Sequence, residues 1–585
     1  VNFSILFVCL VIFLLVLSLY NNWLRPALAF VIASMTFVVF QILSIEDLLA
    51  GLANKQIIVI FLLVTLTAGI QQNLGKDFFY QFFGKHLSPF QFRARMMVLV
   101  SSLSSLLNNT PIVAFMIPFV KNWADENGYS ASKFLIPLSF ATILGGMITV
   151  VGTSTNLVLN GLIEQSGLQG LGYRDFLFLG VIVSVLGLIY LTFASDFFLK
   201  DRKGNKEQVI GHLNEYLVET KVERNSSIIG KTIETAGLRH LKELFLVELK
   251  RGERTIPAVG SSVEVFEGDY LFFAGNTQAI LNLINSNNGL VLPDQSQIHQ
   301  NGFSSLSEAI IPTGSNLVGQ TLRDSGFRDR YKASVISIYR KGEKVKGNLG
   351  ETKLQAGDFL LMICAKDWDR NKNSRDLILI SNKGELEKKK SLKQILPSIF
   401  SLGFLILGIL GFMELFFGAF LGILVMVSCK ILKMKHIKNS IDLELLIVLV
   451  CSLSIGVAIQ KSGTAGFIVE GIKWVTDEGS PIFNIGILFL ITMGLTSLIT
   501  NAAAVSIMFP IALEMGTQSG GMLTPYFVAI AFAASADFMT PIGYQTNLMV
   551  MGPGNYQFSD YARIGLPLTI IYGLSTLVFI NFYYF

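Results

Sequence analysis

The stretch SSLLNNTPIVAFMIPF, Ser104 to Phe119, is apolar on both flanks and carries two amides, a hydroxyl and a proline at its centre. Asn108, Asn109, Thr110 and Pro111 are turn and cap formers, so the stretch reads as one helix ending at the asparagines and a second starting at Thr110. Such a break leaves backbone groups without helical partners. Inside a bilayer these are tolerated only where protein or a watery cavity receives them, which makes the turn a binding-site candidate.

The pattern returns as TSLITNAAAVSIMFPI, Thr496 to Ile511, with Asn109 falling on Asn501 and Pro118 on Pro510, both at an offset of 392. Each copy is followed by a second shared piece, GTSTNLV from Gly152 and GYQTNLM from Gly543, at an offset of 391. Two elements recurring in one order and at nearly one spacing point to an internal duplication.

Composition sets the class. The 585 residues are 51% hydrophobic and 15% charged, and the mean hydropathy is +0.55, which excludes an ordinary soluble enzyme and reads as a multi-span membrane protein. Cys9, Cys364, Cys429 and Cys451 have neither metal-type nor redox-type spacing and read as reduced packing residues. The net charge of +5 fits basic cytoplasmic loops, since no basic and aromatic platform for nucleic acid is present. Residues 1 to 20 lack the basic start of a signal peptide and are long enough to span.

Spans are expected near 3–20, 27–44 and 56–72, then a hairpin at about 94–124, then spans at 135–162 and 175–199. Lys76, Lys85, Arg93 and Arg95 place the loop before the hairpin in the cytoplasm, as Lys200, Arg202 and Lys203 do for the end of this half; the N-terminus is then outside. From 393 the order repeats: spans at 394–412, 415–432 and 443–460, a hairpin at about 482–516, and spans at 523–548 and 562–583. The loop KILKMKHIKNS lies inside, and the flank with Glu470, Asp477 and Glu478 lies outside. Five crossings and one hairpin per half is an odd count, so residues 393–585 sit inverted relative to 1–199. Both termini are then extracellular or periplasmic, in a plasma (inner) membrane. Inverted halves with opposed hairpins are transporter architecture.

Between the halves the chemistry changes to charge clusters, short alternating runs and Gly/Asp turns, as expected of a soluble cytoplasmic α+β insert. It is itself duplicated at an offset of 89: SSIIGKTIETAGLR from Ser226 matches SNLVGQTLRDSGFR from Ser315, giving units at 200–292 and 293–392. Each unit reads as strand, short helix and hairpin.

Asn109 and Asn501 each offer an amide that donates and accepts, and Thr110 adds a hydroxyl beside a helix's positive end. This chemistry suits an anion. No Arg or Lys lies within either hairpin core, so a doubly negative solute needs bound cations nearby. Ser104, Asn108, Asn109 and the Gly152 break in one half, with Thr496, Thr500, Asn501 and the Gly543 break in the other, offer the hard oxygens sodium accepts. The competing reading makes these small polar residues helix-packing glue. Asp537 is the one acid in the hairpins and broken spans apart from Glu514 at a rim. It is a candidate for coupling protons or completing a cation site, against a structural role beside backbone groups.

These tips, with GTSTN and TPIGYQTN, resemble the divalent anion:sodium symporter family over nearly the whole chain. The resemblance implies that the asparagine and threonine of each tip hold substrate oxygens and that the first tip residue contributes to sodium binding. On this chain it assigns substrate binding to Asn109, Thr110, Thr500 and Asn501, joined by Thr155, Asn156, Thr546 and Asn547 of the two broken spans. It further implies a homodimer moving its hairpin-bearing parts as an elevator. Both tips depart from the family's Ser-Asn-Thr pattern, at Asn108, Thr500 and Ala502. The insert resembles paired TrkA-C (RCK-C) regulatory subdomains, some of which bind nucleotides such as cyclic di-AMP, although no phosphate-cradling glycine loop is present. The expected function is therefore sodium-coupled symport of sulfate or a related oxyanion. A C4-dicarboxylate is the alternative, and a potassium channel, suggested by Ile542, Gly543 and Tyr544, is a third reading that lacks the fourfold filter. The five histidines fall outside the apolar spans, and no nucleophile has a base at readable spacing, so no enzyme is expected.

Overall fold

The computed structural model describes residues 3–21, 23–51, 54–83, 87–202, 217–238, 241, 244–252, 254–257, 259–275, 289–292, 306–312, 315–340, 343–345, 349–364, 376–379, 392–433, 437, 443–476, 481–541 and 543–585. Lys85, Lys203, Asp477, Glu478, Ile542, the five histidines and most of the loop 430–440 lie outside them.

The first helical run is α1 (Phe3–Tyr20), α2 (Pro26–Val39), α3 (Ile45–Ala50), α4 (Lys55–Phe82), α5 (Pro89–Ser104), α6 (Asn109–Glu126), α7 (Leu135–Gly146), α8 (Ser154–Gln165) and α9 (Tyr173–Phe198). The second is α10 (Leu392–Ile409), α11 (Leu415–Ser428), α12 (Leu443–Lys461), α13 (Thr464–Thr476), α14 (Pro481–Thr496), α15 (Asn501–Gln518), α16 (Thr524–Ala534), α17 (Gln545–Met551) and α18 (Phe558–Tyr584). Pro26 and Pro89 open α2 and α5, where the missing N–H costs nothing, whereas Pro118, Pro397, Pro510 and Pro567 lie inside α6, α10, α15 and α18. Ser88 and Gln91 close a reciprocal capping box at the start of α5.

Each expected hairpin is a pair of helices with a short non-helical tip, α5–α6 and α14–α15, and each following span is broken, α7 from α8 and α16 from α17. Two features were not foreseen. The flank after α12 is itself helical, and Gly463, at φ +77°, bends Leu446–Lys461 from Thr464–Ile472 by 71°. Arg93, expected in a basic loop, lies buried on α5, its guanidinium bound to both Asp196 oxygens at 2.6 and 2.7 Å and to the Thr192 carbonyl at 2.7 Å.

Among the described residues, Ile45–Ile70, Tyr173–Phe198 and Phe558–Tyr584 are long and apolar enough to cross a membrane, as is the bent pair taken as one span; α1, α2, α10, α11, α14 and α16 supply shorter apolar helices. Packing follows the duplication. α5 lies on α7 as α14 lies on α16, and the halves interlock because α6 packs on α17 while α15 packs on α8.

Two five-stranded antiparallel sheets lie between the helical runs. The first, in order β3-β2-β4-β1-β5, comprises β1 (Leu217–Val222), β2 (Leu244–Arg251), β3 (Arg254–Pro257), β4 (Tyr270–Gly275) and β5 (Leu290–Val291). The second, β10-β6-β9-β7-β8, comprises β6 (Leu306–Ile310), β7 (Ala333–Arg340), β8 (Glu343–Lys344), β9 (Phe359–Cys364) and β10 (Ile378–Leu379), with the same connectivity. Matched ion pairs reinforce the match. Arg251 holds both Asp269 oxygens at 2.8 Å, and Arg340 holds both Asp358 oxygens at 2.8 Å, each aspartate also accepting a backbone N–H at 2.8 Å. The short helix expected after the first strand is instead a run of turns at 226–237, set by left-handed Gly230 and Gly237; among the described residues the second unit has one α-helix, Phe327–Tyr331, and a single 3-10 turn at Leu349–Glu351.

The second sheet unit rests on the helices. Ile310 and Phe359 belong to the main helical core, Lys121 of α6 pairs with Glu308, and Arg25 donates to the Val318 carbonyl at 2.9 Å. Glycine permits the approach: a Cβ on Gly552 would lie 2.7 Å from the Phe359 Cβ.

Candidate functional site at the hairpin tips

At the first tip α5 ends at Ser104, and Asn108, in extended backbone, caps α6 by accepting the Thr110 N–H at 3.4 Å. Asn109 is thereby turned inward and is 1% exposed. Its Oδ1 accepts from the Ser104 hydroxyl, which also faces the Thr142 carbonyl of α7 at 2.7 Å. The second tip repeats this arrangement at matched positions. Thr500 caps α15 through Ala503 N–H, and Thr496 Oγ1 stands 2.9 Å from Asn501 Oδ1 and 2.7 Å from the Ala534 carbonyl. A hydroxyl has one proton, so each trio places three oxygens around a single hydrogen and keeps lone pairs in surplus. Among the described residues no group of three His, Cys, Asp or Glu side chains gathers. The hard-ligand chemistry at the tips is therefore that of neutral oxygens, with one carboxylate beside the second trio.

That carboxylate is Asp537, fully buried. One oxygen accepts from Thr540 Oγ1 at 3.2 Å, and Oδ2 has no hydrogen-bond partner among the described residues. It fills space that Gly543 leaves: a Cβ on Gly543 would overlap the carboxylate and lie 2.7 Å from the Thr496 carbonyl. In the first half the matching Gly152 instead packs on the Gly146 backbone, and Gly146 lies against Asn109, where a Cβ would come within 3.0 Å of both amide atoms.

The two tips meet through the second break. Asn109 Nδ2 donates to the Tyr544 hydroxyl at 2.5 Å, and Thr110 Oγ1 donates to Gln545 Oε1 at 3.1 Å. A continuous chain of contacts thus runs from Asn501 through Thr496, Gly543 and Tyr544 to Asn109. The site reading from sequence passed over Tyr544, which stood out only in the potassium-channel reading, because its counterpart in the duplication is Thr153; its place between two site residues, Gly543 and Thr546, was the further signal.

Other expected site residues brace the breaks. Asn547 donates to the carbonyls of Asp537 at 2.8 Å and Thr540 at 3.1 Å and accepts from Ser139 at 2.7 Å, while Thr546 Oγ1 lies 2.9 Å from the same serine. Asn156 donates to the Thr149 carbonyl at 3.2 Å, but its Oδ1 is buried without a hydrogen-bond partner among the described residues. Asn501 Nδ2 is likewise unpaired there. Thr155 is buried in the first turn of α8, Asn108 and Thr110 are half-buried, and Thr500 is exposed.

A family model described as citrate transporter matches residues 10–525 and, in a second match, 405–585. A Chlamydomonas reinhardtii protein named for the response to sulfur deprivation is 31% identical over 93% of this chain and 96% of its own length. An uncharacterized transporter of Synechocystis is 29% identical over 95% of this chain and 93% of its own. Sodium/sulfate cotransporter 2 of C. reinhardtii is 23% identical over 94% and 86%. Together with the apolar helices and their paired broken spans, the match makes this chain a multi-pass membrane protein that belongs to the citrate transporter family.

Proposed function

We propose that the protein is a sodium-coupled symporter of a small divalent oxyanion, sulfate foremost, held between the two hairpin tips. The observation that carries this reading is the pair of matched oxygen trios, Ser104–Asn109–Thr142 and Thr496–Asn501–Ala534, each at the foot of a helix N-terminus. Each helix start presents roughly half a positive charge, so α6 and α15 together offer about one. A dianion leaves about one charge unmet, and a cation in either trio supplies it. Anion and sodium then bind as a set, which is the physical basis of coupling. Relatives named sodium/sulfate cotransporters favour sodium and sulfate over the dicarboxylate and potassium readings.

In this reading the two halves are inverted repeats, the unit is a homodimer, and the hairpin-bearing elements move as an elevator. The sheet units form a cytoplasmic regulatory insert. Three contact points of the second unit, Arg25, Lys121 and Gly552, all fall on the side the basic loops assign to the cytoplasm. The test is uptake of labelled sulfate, succinate and rubidium into proteoliposomes with and without an inward sodium gradient. Sulfate uptake that requires the gradient supports the proposal; rubidium uptake, or sulfate uptake indifferent to sodium, overturns it.

A further inference from the structure

We infer that Tyr544 is a substrate-contacting residue that sets the size of the anion the site accepts; this rests on the function proposed above. Asn109 and Asn501 are matched positions, yet their amide nitrogens are treated differently. Asn109 Nδ2 is capped by the Tyr544 hydroxyl at 2.5 Å, and Asn501 Nδ2 has no partner among the described residues. The asymmetry lies in the opposing break. Where the second break carries Tyr544, the first carries Thr153, a short side chain whose hydroxyl is already committed to the Asn156 N–H at 3.4 Å.

The Tyr544 hydroxyl accepts the Asn109 proton and retains its own. Among the described residues no acceptor takes that proton, and Tyr544 remains half-buried at the face where Asn108 and Thr110 are also partly open. The cradle therefore offers an amide donor from Asn501 on one side and a phenol donor, relayed from Asn109, on the other. A phenol side chain is longer than that of threonine, so at this position it shortens the space beside Asn109. A tetrahedral oxyanion, whose oxygens all lie around one small centre, suits the shortened space; a four-carbon dicarboxylate needs the depth that the ring occupies. Gly543, pressed between Asp537 and the Thr496 carbonyl, fixes the position of Tyr544 relative to the second trio.

The test uses full-length protein in proteoliposomes, comparing wild type, Y544F and Y544T for sodium-driven sulfate uptake, with succinate as competitor. Losing one hydrogen bond to a charged solute predicts a sulfate KM about 10- to 100-fold higher in Y544F, with Vmax unchanged and half-saturating sodium unchanged at saturating sulfate. Y544T, which copies position 153, is expected to lose sulfate affinity similarly and to become inhibitable by succinate. Sulfate-induced thermal stabilisation in detergent gives a second readout that needs no transport. A Y544F protein with wild-type sulfate KM and wild-type stabilisation overturns the inference while leaving the symport reading intact, as does parallel loss of Vmax and sodium affinity, which marks a mere brace. Wild-type protein that neither takes up nor is stabilised by sulfate overturns both.

Discussion

Removing one member of the Lys121–Glu308 pair tests whether the second sheet unit restrains the first hairpin. The side chains are 7% and 1% exposed, Lys121 Nζ lies 5.8 Å from the Phe359 ring centroid, and Glu308 Oε1 has no hydrogen-bond partner among the described residues. In K121M the Glu308 carboxylate stays buried with its counter-charge gone, a change that costs about 3–5 kcal/mol. That is roughly two to three and a half powers of ten in an equilibrium constant. The least costly relief is for the sheet unit to lift and rehydrate Glu308, so the penalty falls on docking before it falls on the whole fold. The double variant K121M/E308M replaces both charges with apolar side chains and is expected to dock as well as wild type, since such swaps are neutral or stabilising. Hydrogen–deuterium exchange on the full-length protein reads this at residues 545–552, which the unit covers through Leu548 and Gly552. Exchange there at least tenfold faster in K121M and restored in the double variant is the expected result. Unchanged exchange in K121M, or a double variant as fast as the single one, refutes the reasoning.

The trios predict a separation of effects: S104A or T496A raises half-saturating sodium about tenfold by deleting one oxygen, while sulfate KM at saturating sodium stays within about threefold, and T496S, which copies position 104, behaves as wild type. An equal rise in both constants would count against the trios as cation sites. G543A forces a methyl into the Asp537 carboxylate, an overpacking of about 1–3 kcal/mol concentrated at the site, and is expected to cut uptake at least tenfold; G494A, with open space around it, is the control that must remain active. D537N keeps shape and removes only charge, so it should weaken sodium dependence and leave anion preference alone. Normal transport with unchanged ion dependence at every pH would remove Asp537 from the mechanism.

The helical frame was legible because it depends on features that repeat. Prolines, caps and glycine breaks recur at offsets of 392 and 391, and their consequences are local: Asn108 and Thr500 cap the helix that follows whatever surrounds them. The sheet units were legible for the same reason, with Arg251–Asp269 and Arg340–Asp358 as repeated pairs. Contacts between remote segments left no such trace. Lys121 and Glu308 are 187 residues apart and Asn109 and Tyr544 are 435 apart, and neither pair has a counterpart in its own duplication. Arg93 read as a loop cation because its partner, Asp196, lies 103 residues on.

Where the copies differ is itself informative. Ser139 donates to Asn547, but its counterpart at offset 392 is Ala531, which has no hydroxyl to give, so Asn156 Oδ1 is left unpaired although α8 packs on α16 as α17 packs on α7. Thr153 occupies the position matched to Tyr544 and is the shorter side chain, and Asn501 Nδ2 has no partner among the described residues. A buried polar atom without a partner costs about 1–3 kcal/mol, and Asn156 and Asn501 each carry one. The matched residues build the tips and the oxygen trios equally in both halves. Tyr544 and Asp537, which have no like residue at their matched positions, and the unpaired Asn501 amide gather around the contact chain joining the tips. A duplicated frame alone would present the same groups from both sides; these substitutions set the Tyr544 phenol against the Asn109 amide on one side and leave the Asn501 amide nitrogen without a partner among the described residues on the other.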